Sequence, residues 1–206
     1  MSFSKKLVCR LMSIVMSCTV MLLSMGVSAS NDAEVQPRIY ENRILEVVEI
    51  NQTYSNSCWA ACSAMVLTYM TGTSVTESEV ITSLYPNYNN QMYSIGSLQS
   101  GLANQYELVS DYSAYQYSGF SYPLYESEVM AQIATGKPIL ALRANHFVVI
   151  IGYEYQDNPY QGLNIYYLDP NQNVNSKQKI AYSEFCQDTV YAYQSWEGAL
   201  YNFQLI

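Results

Sequence analysis

Histidine is almost missing from this sequence, which has one imidazole, His146, in 206 residues. A zinc site needs several His and Cys ligands at short spacing, and no such cluster occurs. We therefore expect no metal and no cofactor. A neutral imidazole near pH 7 is the usual activator of a thiol, so Cys–His chemistry here has one candidate base. A purely structural histidine is the ordinary alternative.

Positive charge is also scarce, with nine Lys and Arg against seventeen Asp and Glu. Three of the basic residues lie in the first ten positions, an uncharged apolar run covers residues 11–27, and small residues end at Ala29. This order predicts a signal peptide over residues 1–29 and bacterial-type export to a secreted or extracytoplasmic location. The alternative is an uncleaved anchor helix. Cys18 lies inside the apolar run, and we treat it as part of the signal.

The chain that remains after signal removal is strongly acidic. It has 177 residues, six basic and seventeen acidic, for a formal charge of −11. Such a surface repels phosphate backbones and anionic lipid, so neither nucleic acid nor a membrane is an expected partner. Its length suits one domain with its own core. Tyrosine is abundant, with 21 residues, which suits amphipathic strands.

Three cysteines follow the predicted signal peptide: Cys58, Cys62 and Cys186. An odd number in an exported chain leaves at least one free thiol if the others pair. Cys58 and Cys62 are four residues apart on a predicted helix, which suits a disulfide poorly. A Cys62–Cys186 bond would leave Cys58 free. We expect either that bond or three free thiols.

The apolar pattern changes from a helical to a strand period along the chain, which predicts an α+β class. A polar leader over residues 30–42 precedes the predicted domain at 43–206. Predicted helices, some with clear caps at Ser57, Thr76 and Gly72, cover residues 58–70, 76–84, 97–106 and 125–135. Residues 107–123 are ambiguous and more consistent with extended chain. Predicted strands cover residues 43–50, 139–142, 146–153, 163–168, 178–181, 190–193 and 199–205.

Cys58 begins the first predicted helix, where free N–H groups and the helix dipole stabilise a thiolate. Gln52 lies six residues upstream, in the loop that enters the helix. Its amide can donate to the oxyanion that forms when a thiolate attacks a carbonyl, together with the Cys58 N–H. A lone Cys on a helix is ordinarily a small buried hydrophobe. The placement and the upstream Gln favour a nucleophile instead.

His146 opens a predicted strand, and Asp169 ends the strand expected to pair with it. The Asp169 carboxylate can accept a hydrogen bond from the imidazole and fix its orientation. An Asp-Pro turn after a strand is the ordinary reading of this position. Asn171 is a nearby alternative for the same orienting role.

Together these residues resemble the papain-like cysteine peptidases. The motif Gln52-x5-Cys58-Trp59-Ala60 resembles their nucleophile motif. The segments Asn145-His146-Phe147 through Gly152-Tyr153 and Leu168-Asp169-Pro170 resemble the bacterial branch, which includes the double-glycine (bacteriocin-leader) peptidases. The resemblance implies a papain-like fold, with an N-terminal helical lobe carrying Cys58 and a C-terminal antiparallel β-lobe carrying His146 and Asp169. It implies hydrolysis of a peptide or protein substrate by a Cys–His–Asp triad through an acyl-enzyme, with Gln52 on the oxyanion.

Two departures and three alternatives accompany this resemblance. The sequence has no transporter region, and Cys58 lies only 29 residues into the predicted mature chain, so we expect neither an exporter fusion nor a long inhibitory propeptide. The same triad also serves cell-wall peptide amidases and transglutaminase-like acyl transferases. A non-catalytic papain-like module that binds peptides is the third alternative.

Overall fold

A computed structural model describes five stretches of the chain: residues 40–114, 123–157, 162–171, 177–187 and 196–206. The predicted signal peptide, most of the predicted leader and the predicted strand at 190–193 lie outside these stretches. All the elements below belong to one compact unit, Arg38–Ile206. No helix in the described stretches is long and apolar enough to cross a membrane.

Three consecutive helices in the first half of this unit are followed mainly by antiparallel strands, and its fold is the predicted α+β class. The helices are α1 (Cys58–Thr71), α2 (Glu77–Leu84), α3 (Ile95–Tyr106), α4 (Glu126–Ala134) and the single turn α5 (Tyr182–Phe185). The strands are β1 (Tyr40–Ile44), β2 (Leu108–Ala114), β3 (Ile139–Arg143), β4 (His146–Gln156), β5 (Gly162–Leu168), β6 (Lys177–Ala181) and β7 (Trp196–Leu205).

The seven strands form one sheet in the order β2-β7-β3-β4-β5-β6, and β1 also pairs with β4. All pairings are antiparallel. On one edge β4 pairs with β3 through its first half and with β1 through its second half. Its other edge pairs with β5. His146, the first residue of β4, therefore lies at one end of the central strand.

Helices cover both faces of the sheet because successive side chains of β4 point to opposite faces. Phe147, Val149 and Ile151 belong to a core with α1, α2 and α3. Val148 and Ile150 belong to a second core with α4 and α5. The first three helices thus form the layer that carries Cys58, while α4 and α5 lie on the far side of the sheet.

Helix α1 is the centre of the first core. Ten consecutive residues, Cys58 to Leu67, are buried, as expected for a helix that is apolar on all sides. It ends as predicted at Gly72, whose φ of 68° places it in the left-handed region and whose N–H bonds to the Thr68 carbonyl. Ser57 occupies the N-cap position, but its hydroxyl does not cap the helix. It bonds instead to the N–H and carbonyl of Tyr54.

The predicted first strand is placed wrongly by the local pattern. The observed β1 begins at Tyr40 and ends at Ile44, whereas alternation predicted a strand over residues 43–50. Ile44 pairs with Gly152, and β3 occupies the adjoining part of the same edge of β4, from Ile150 back to His146. The chain must therefore leave the sheet after Leu45, whose N–H makes a last bond to Ile151.

The other predicted elements that fall within the described residues agree with the structure to within a few residues. The Thr76–Glu79 capping box is present and opens α2. Helix α3 begins two residues earlier than predicted because Ser94 caps it by accepting from the Ser97 N–H. The ambiguous segment contains β2, which pairs with the C-terminal strand β7. The short turn α5 was not predicted at all.

Candidate active site

Cys58 is the first residue of α1 and is 2% exposed. The N–H groups of the first helical turn have no intrahelical partner, so the sulfur lies where a helix favours negative charge. The backbone N–H of Phe147 donates to the Cys58 Sγ at 3.5 Å. The thioether of Met92, a residue that is 39% exposed, lies 3.9 Å from the same sulfur. The thiol is thus held between β4 and the loop between α2 and α3.

His146 is placed by a two-residue turn between β3 and β4. Ala144 and Asn145 both have positive φ angles, 48° and 59°, as in the tight turns that fit the twist of a hairpin. Glu197 holds this turn by accepting from the Asn145 N–H at 2.6 Å. The turn delivers His146 to the end of β4 next to Phe147, whose backbone already contacts the thiol.

Asp169 follows β5, the neighbour of β4, and its carboxylate reaches the imidazole. The His146 Nε2 lies 2.7 Å from the Asp169 Oδ1, which also accepts from the Asn171 N–H at 2.9 Å. Both side chains are shielded, with 32% and 17% of their surface exposed. Asp169 therefore contacts the ring, and Asn171, the alternative considered above, contacts the carboxylate through its backbone.

The three side chains form one electrostatic unit. Burial lowers the pKa of His146, but hydrogen bonds to Asp169 and to Cys58 and their negative charge raise it to about 9. Burial raises the pKa of Asp169, but the bonds from His146 and from the Asn171 N–H hold it below its usual value. The geometry thus favours an imidazolium at neutral pH, opposite the Cys58 sulfur, rather than the neutral ring expected from the sequence. Nδ1 is the ring nitrogen left to face Cys58, because Nε2 engages Asp169.

Gln52 lies in the loop before α1, adjacent to the Asp169 loop. Its backbone N–H donates to the Pro170 carbonyl at 2.8 Å. Its side-chain Nε2 donates to the carbonyls of Tyr54 at 3.0 Å and Ser55 at 3.2 Å. The structure therefore ties Gln52 to the loops that carry Cys58 and Asp169. In this arrangement its amide hydrogens are directed to its own loop.

Side chains that the sequence did not single out hold this loop, which we call the nucleophile loop (residues 52–57). The Glu77 carboxylate accepts from the Thr53 N–H, and the Asn90 Oδ1 accepts from the Asn56 N–H. The two residues lie 24 and 34 positions along the chain from the loop residues that they contact. No local motif signals such contacts; the positive φ of Asn90, 60°, is visible only in the structure.

The other two cysteines lie in different cores. Cys62 belongs to the core with α1 and donates to the Phe147 carbonyl at 3.2 Å. Cys186 belongs to the core on the opposite face of the sheet. Cys58, Cys62 and Cys186 are all free thiols, so of the two expected arrangements the structure has the one without a Cys62–Cys186 bond. Burial raises the pKa of Cys62, and it raises that of Cys186 to about 11, which keeps both protonated.

No cluster of three or more His, Cys, Asp and Glu side chains within the described stretches is arranged to hold a metal ion.

Residues 44–200 match the Peptidase_C39 like family, a span that includes Gln52, Cys58, His146 and Asp169. The chain belongs to this family. It is a cysteine peptidase by family, and its fold is the papain-like α+β fold. Among solved structures it is similar to UfSP from C. elegans, with a TM-score of 0.50 and 12% sequence identity. The likeness covers 85% of this chain and 36% of that chain, and at this identity it bears on the fold alone. None of the curated proteins matches the sequence significantly.

Proposed function

We propose that this peptidase hydrolyses peptide bonds with Cys58 as nucleophile, His146 as acid and base, and Asp169 as the group that orients the ring. One observation carries the proposal. The imidazole of His146 bonds to Asp169 through Nε2 at 2.7 Å, and the Cys58 sulfur is near enough to the ring to raise the pKa of the imidazole. A thiol, an imidazole and a carboxylate in this order form the arrangement used for acyl transfer.

The reaction follows from the charges at the site. The Cys58 thiolate attacks the carbonyl carbon of the scissile bond, and the carbonyl oxygen becomes an oxyanion. The His146 imidazolium then gives its proton to the leaving amine, which breaks the C–N bond and leaves an acyl-enzyme. The ring, now neutral, takes a proton from water as the water attacks the thioester. Release of the acid product restores the thiolate and imidazolium.

The oxyanion needs hydrogen-bond donors, and we propose two. The Cys58 N–H opens α1 and has no helical partner. The Gln52 amide is the second proposed donor. Of its two bonds to loop carbonyls, the one to Ser55 is longer, 3.2 Å against 3.0 Å. We expect this bond to be exchanged for the oxyanion when substrate binds.

The proposed substrate is a peptide or protein that is located outside the cytoplasm. A secreted or extracytoplasmic location is supported by the predicted signal peptide over residues 1–29. The acidic composition, with seventeen Asp and Glu in the chain, argues against nucleic acid or anionic lipid as the partner.

The test is to incubate the protein with a defined peptide mixture in the presence and absence of hydroxylamine, and to read the products by mass spectrometry. Hydrolysis creates new carboxyl and amino termini in buffer alone, and both disappear in Cys58→Ala. If hydroxamates form in the presence of hydroxylamine but little or no free acid forms in buffer alone, the enzyme is an acyl transferase. Release of fragments only from cell-wall peptides would indicate an amidase of that kind. Binding without any product would indicate the non-catalytic module.

A further inference from the structure

A buried carboxylate that takes no part in the proposed mechanism lies beside the site. Glu77 is 6% exposed, and both of its oxygens lie 3.0 Å from the Thr53 nitrogen. The ion pairs found among the described residues, His146–Asp169 and Lys179–Glu154, do not include it. Burial of a charge is costly unless polar groups compensate it, so the surroundings of this carboxylate must supply compensating interactions.

Two features of the local structure compensate the charge. Glu77 is the first residue of α2, where the helix dipole favours an anion. The Thr53 N–H supplies a charge-assisted hydrogen bond, a class of bond that is stronger than one to a neutral acceptor. The contact joins positions 24 residues apart in the chain. Its effect is to fix the peptide group that directly follows Gln52.

The nucleophile loop is held at each end by different groups. Near Cys58, the Asn56 N–H donates to Asn90 and the Tyr54 N–H donates to the Ser57 hydroxyl. Near Gln52, the Gln52 N–H donates to the Pro170 carbonyl, and the Thr53 N–H donates to Glu77. The backbone around Gln52 is therefore restrained on both sides. The Pro170 carbonyl holds the N–H of Gln52, and the Glu77 side chain holds the N–H of the next residue, Thr53.

We propose that Glu77 is a positioning residue for the oxyanion hole: it fixes the backbone at Gln52 and Thr53 so that the Gln52 amide can reach the oxyanion. The inference rests on the oxyanion role proposed for Gln52. Because the oxyanion exists only in the transition state, a mispositioned amide lowers kcat and leaves substrate binding nearly unchanged. Attack of the thiolate on iodoacetamide forms no oxyanion, so the rate of alkylation does not depend on the oxyanion hole.

The experiment compares kcat, KM and the rate of iodoacetamide alkylation in wild type, Glu77→Ala, Glu77→Gln and Gln52→Ala. Loss of one oxyanion donor lowers kcat by about 10²–10³-fold, and we expect Glu77→Ala to lower it by about 10–100-fold. KM and the alkylation rate should stay within about twofold. Glu77→Gln keeps an oxygen acceptor for the Thr53 N–H and should recover most of kcat. The double variant Gln52→Ala/Glu77→Ala should be no slower than Gln52→Ala alone, because both changes remove the same donor.

The matched control is Glu79→Gln, which alters a second carboxylate in the same helical turn. Glu79 accepts from the Thr76 N–H and caps α2 but does not touch Thr53. Glu79→Gln should lower the unfolding midpoint slightly and leave kcat unchanged. If Glu77→Ala does not fold, Glu77→Asp decides, since it keeps the charge at the helix start but shortens the reach to Thr53. It should lower kcat and not the alkylation rate.

The failures of the two proposals are distinguishable. If Gln52→Ala leaves kcat unchanged, the oxyanion role of Gln52 is wrong. If Gln52→Ala lowers kcat but Glu77→Ala or Glu77→Asp does not, the positioning role of Glu77 is wrong. The same conclusion follows if a Glu77 variant slows alkylation as much as hydrolysis, or if its effect adds in full to that of Gln52→Ala.

Discussion

Cys58, His146 and Asp169 come from three separate elements, and the backbone of each element brings its residue to the site. The sulfur begins α1 and receives the Phe147 N–H, the imidazole follows a two-residue turn, and the carboxylate follows β5 and receives the Asn171 N–H. Such placement keeps the backbone at all three positions in place when one of the side chains is replaced. Substitutions at the three positions therefore report on chemistry.

The severity of those substitutions should follow the proposed roles. His146→Ala should lower kcat nearly as much as Cys58→Ala, because it removes both the counter-charge of the thiolate and the proton donor for the leaving amine. Asp169→Asn should be milder, since a neutral amide can still hold the ring. Steady-state kinetics on one peptide substrate measures the order. An Asp169→Asn variant slower than His146→Ala would contradict it.

The pH dependence of turnover should have an alkaline limb near the His146 pKa of about 9. Above that pH the ring loses the proton that the leaving amine requires, so kcat/KM for peptide hydrolysis falls. Alkylation by iodoacetamide requires only the thiolate and should not fall. The His146 proton is lost between about pH 8 and pH 10. If kcat/KM for peptide hydrolysis still rises over that range, the assignment is contradicted.

The same proton affects stability. The pKa of His146 is raised from 6.5 to about 9 in the folded protein, so its contribution is complete below 6.5 and is lost as the pH rises through about 9. The pKa of Asp169 is lowered, so its contribution is present above its usual value of 3.8 and is lost on acidification. Urea unfolding measured at several pH values should show that the pair stabilises the fold most between about pH 3.8 and pH 6.5. An Asp169→Asn variant should show a flatter profile.

At the scale of single residues, local sequence was enough to select the candidates. Cys58, His146 and Asp169 each stood at the start or end of a predicted element, which is where the structure has them. Their catalytic roles stay predictions. Glu77, Asn90 and Met92 were not found, because their contacts join segments 24 to 34 residues apart and leave no periodic signal.

At the scale of elements, β1 approaches β4 closely at Gly152. A Cβ at Gly152 would lie 2.7 Å from the Arg43 carbonyl oxygen and 2.9 Å from an Ile44 side-chain carbon. Gly152→Ala should therefore displace β1 and destabilise the fold by about 1–3 kcal/mol, the usual range for overpacking. Denaturant unfolding measures this. A change below about 0.5 kcal/mol would mean that β1 is not held against β4 as described.

Gly96 is the matched control for this substitution. It lies in the first turn of α3, and a Cβ there would have no atom within 4 Å. Gly96→Ala should stabilise the protein by about 0.5 kcal/mol, because alanine loses less conformational freedom on folding. The opposite signs of the two changes would separate close packing from a general effect of replacing glycine.

The elements also show where sequence patterns stop being informative. The periodicity of residues 43–50 predicted a strand, but β1 ends at Ile44 because β3 occupies the next part of the same edge of β4. That competition is between segments about one hundred residues apart. Helix α1 was predicted well because its signals, a buried apolar run and a closing Gly72, are local.

At the scale of the whole molecule, the sheet separates two cores and keeps Cys62 and Cys186 apart. We therefore expect three free thiols in the chain that follows the predicted signal peptide. Denaturation without reductant, alkylation and intact-mass measurement should add three alkyl groups. Addition of only one would indicate a disulfide. Peptide mapping would then identify the bonded pair, and a bond that includes Cys58 in active protein would be incompatible with its role as nucleophile.

The central claim is that the Cys58 thiolate cleaves peptide bonds. The most direct test is turnover of one peptide substrate by wild type, Cys58→Ala and Cys62→Ala, each checked for an intact unfolding transition. The account predicts that Cys58→Ala has no measurable turnover while Cys62→Ala, which alters a buried thiol four residues away, keeps most of it. Turnover retained by folded Cys58→Ala would contradict the account.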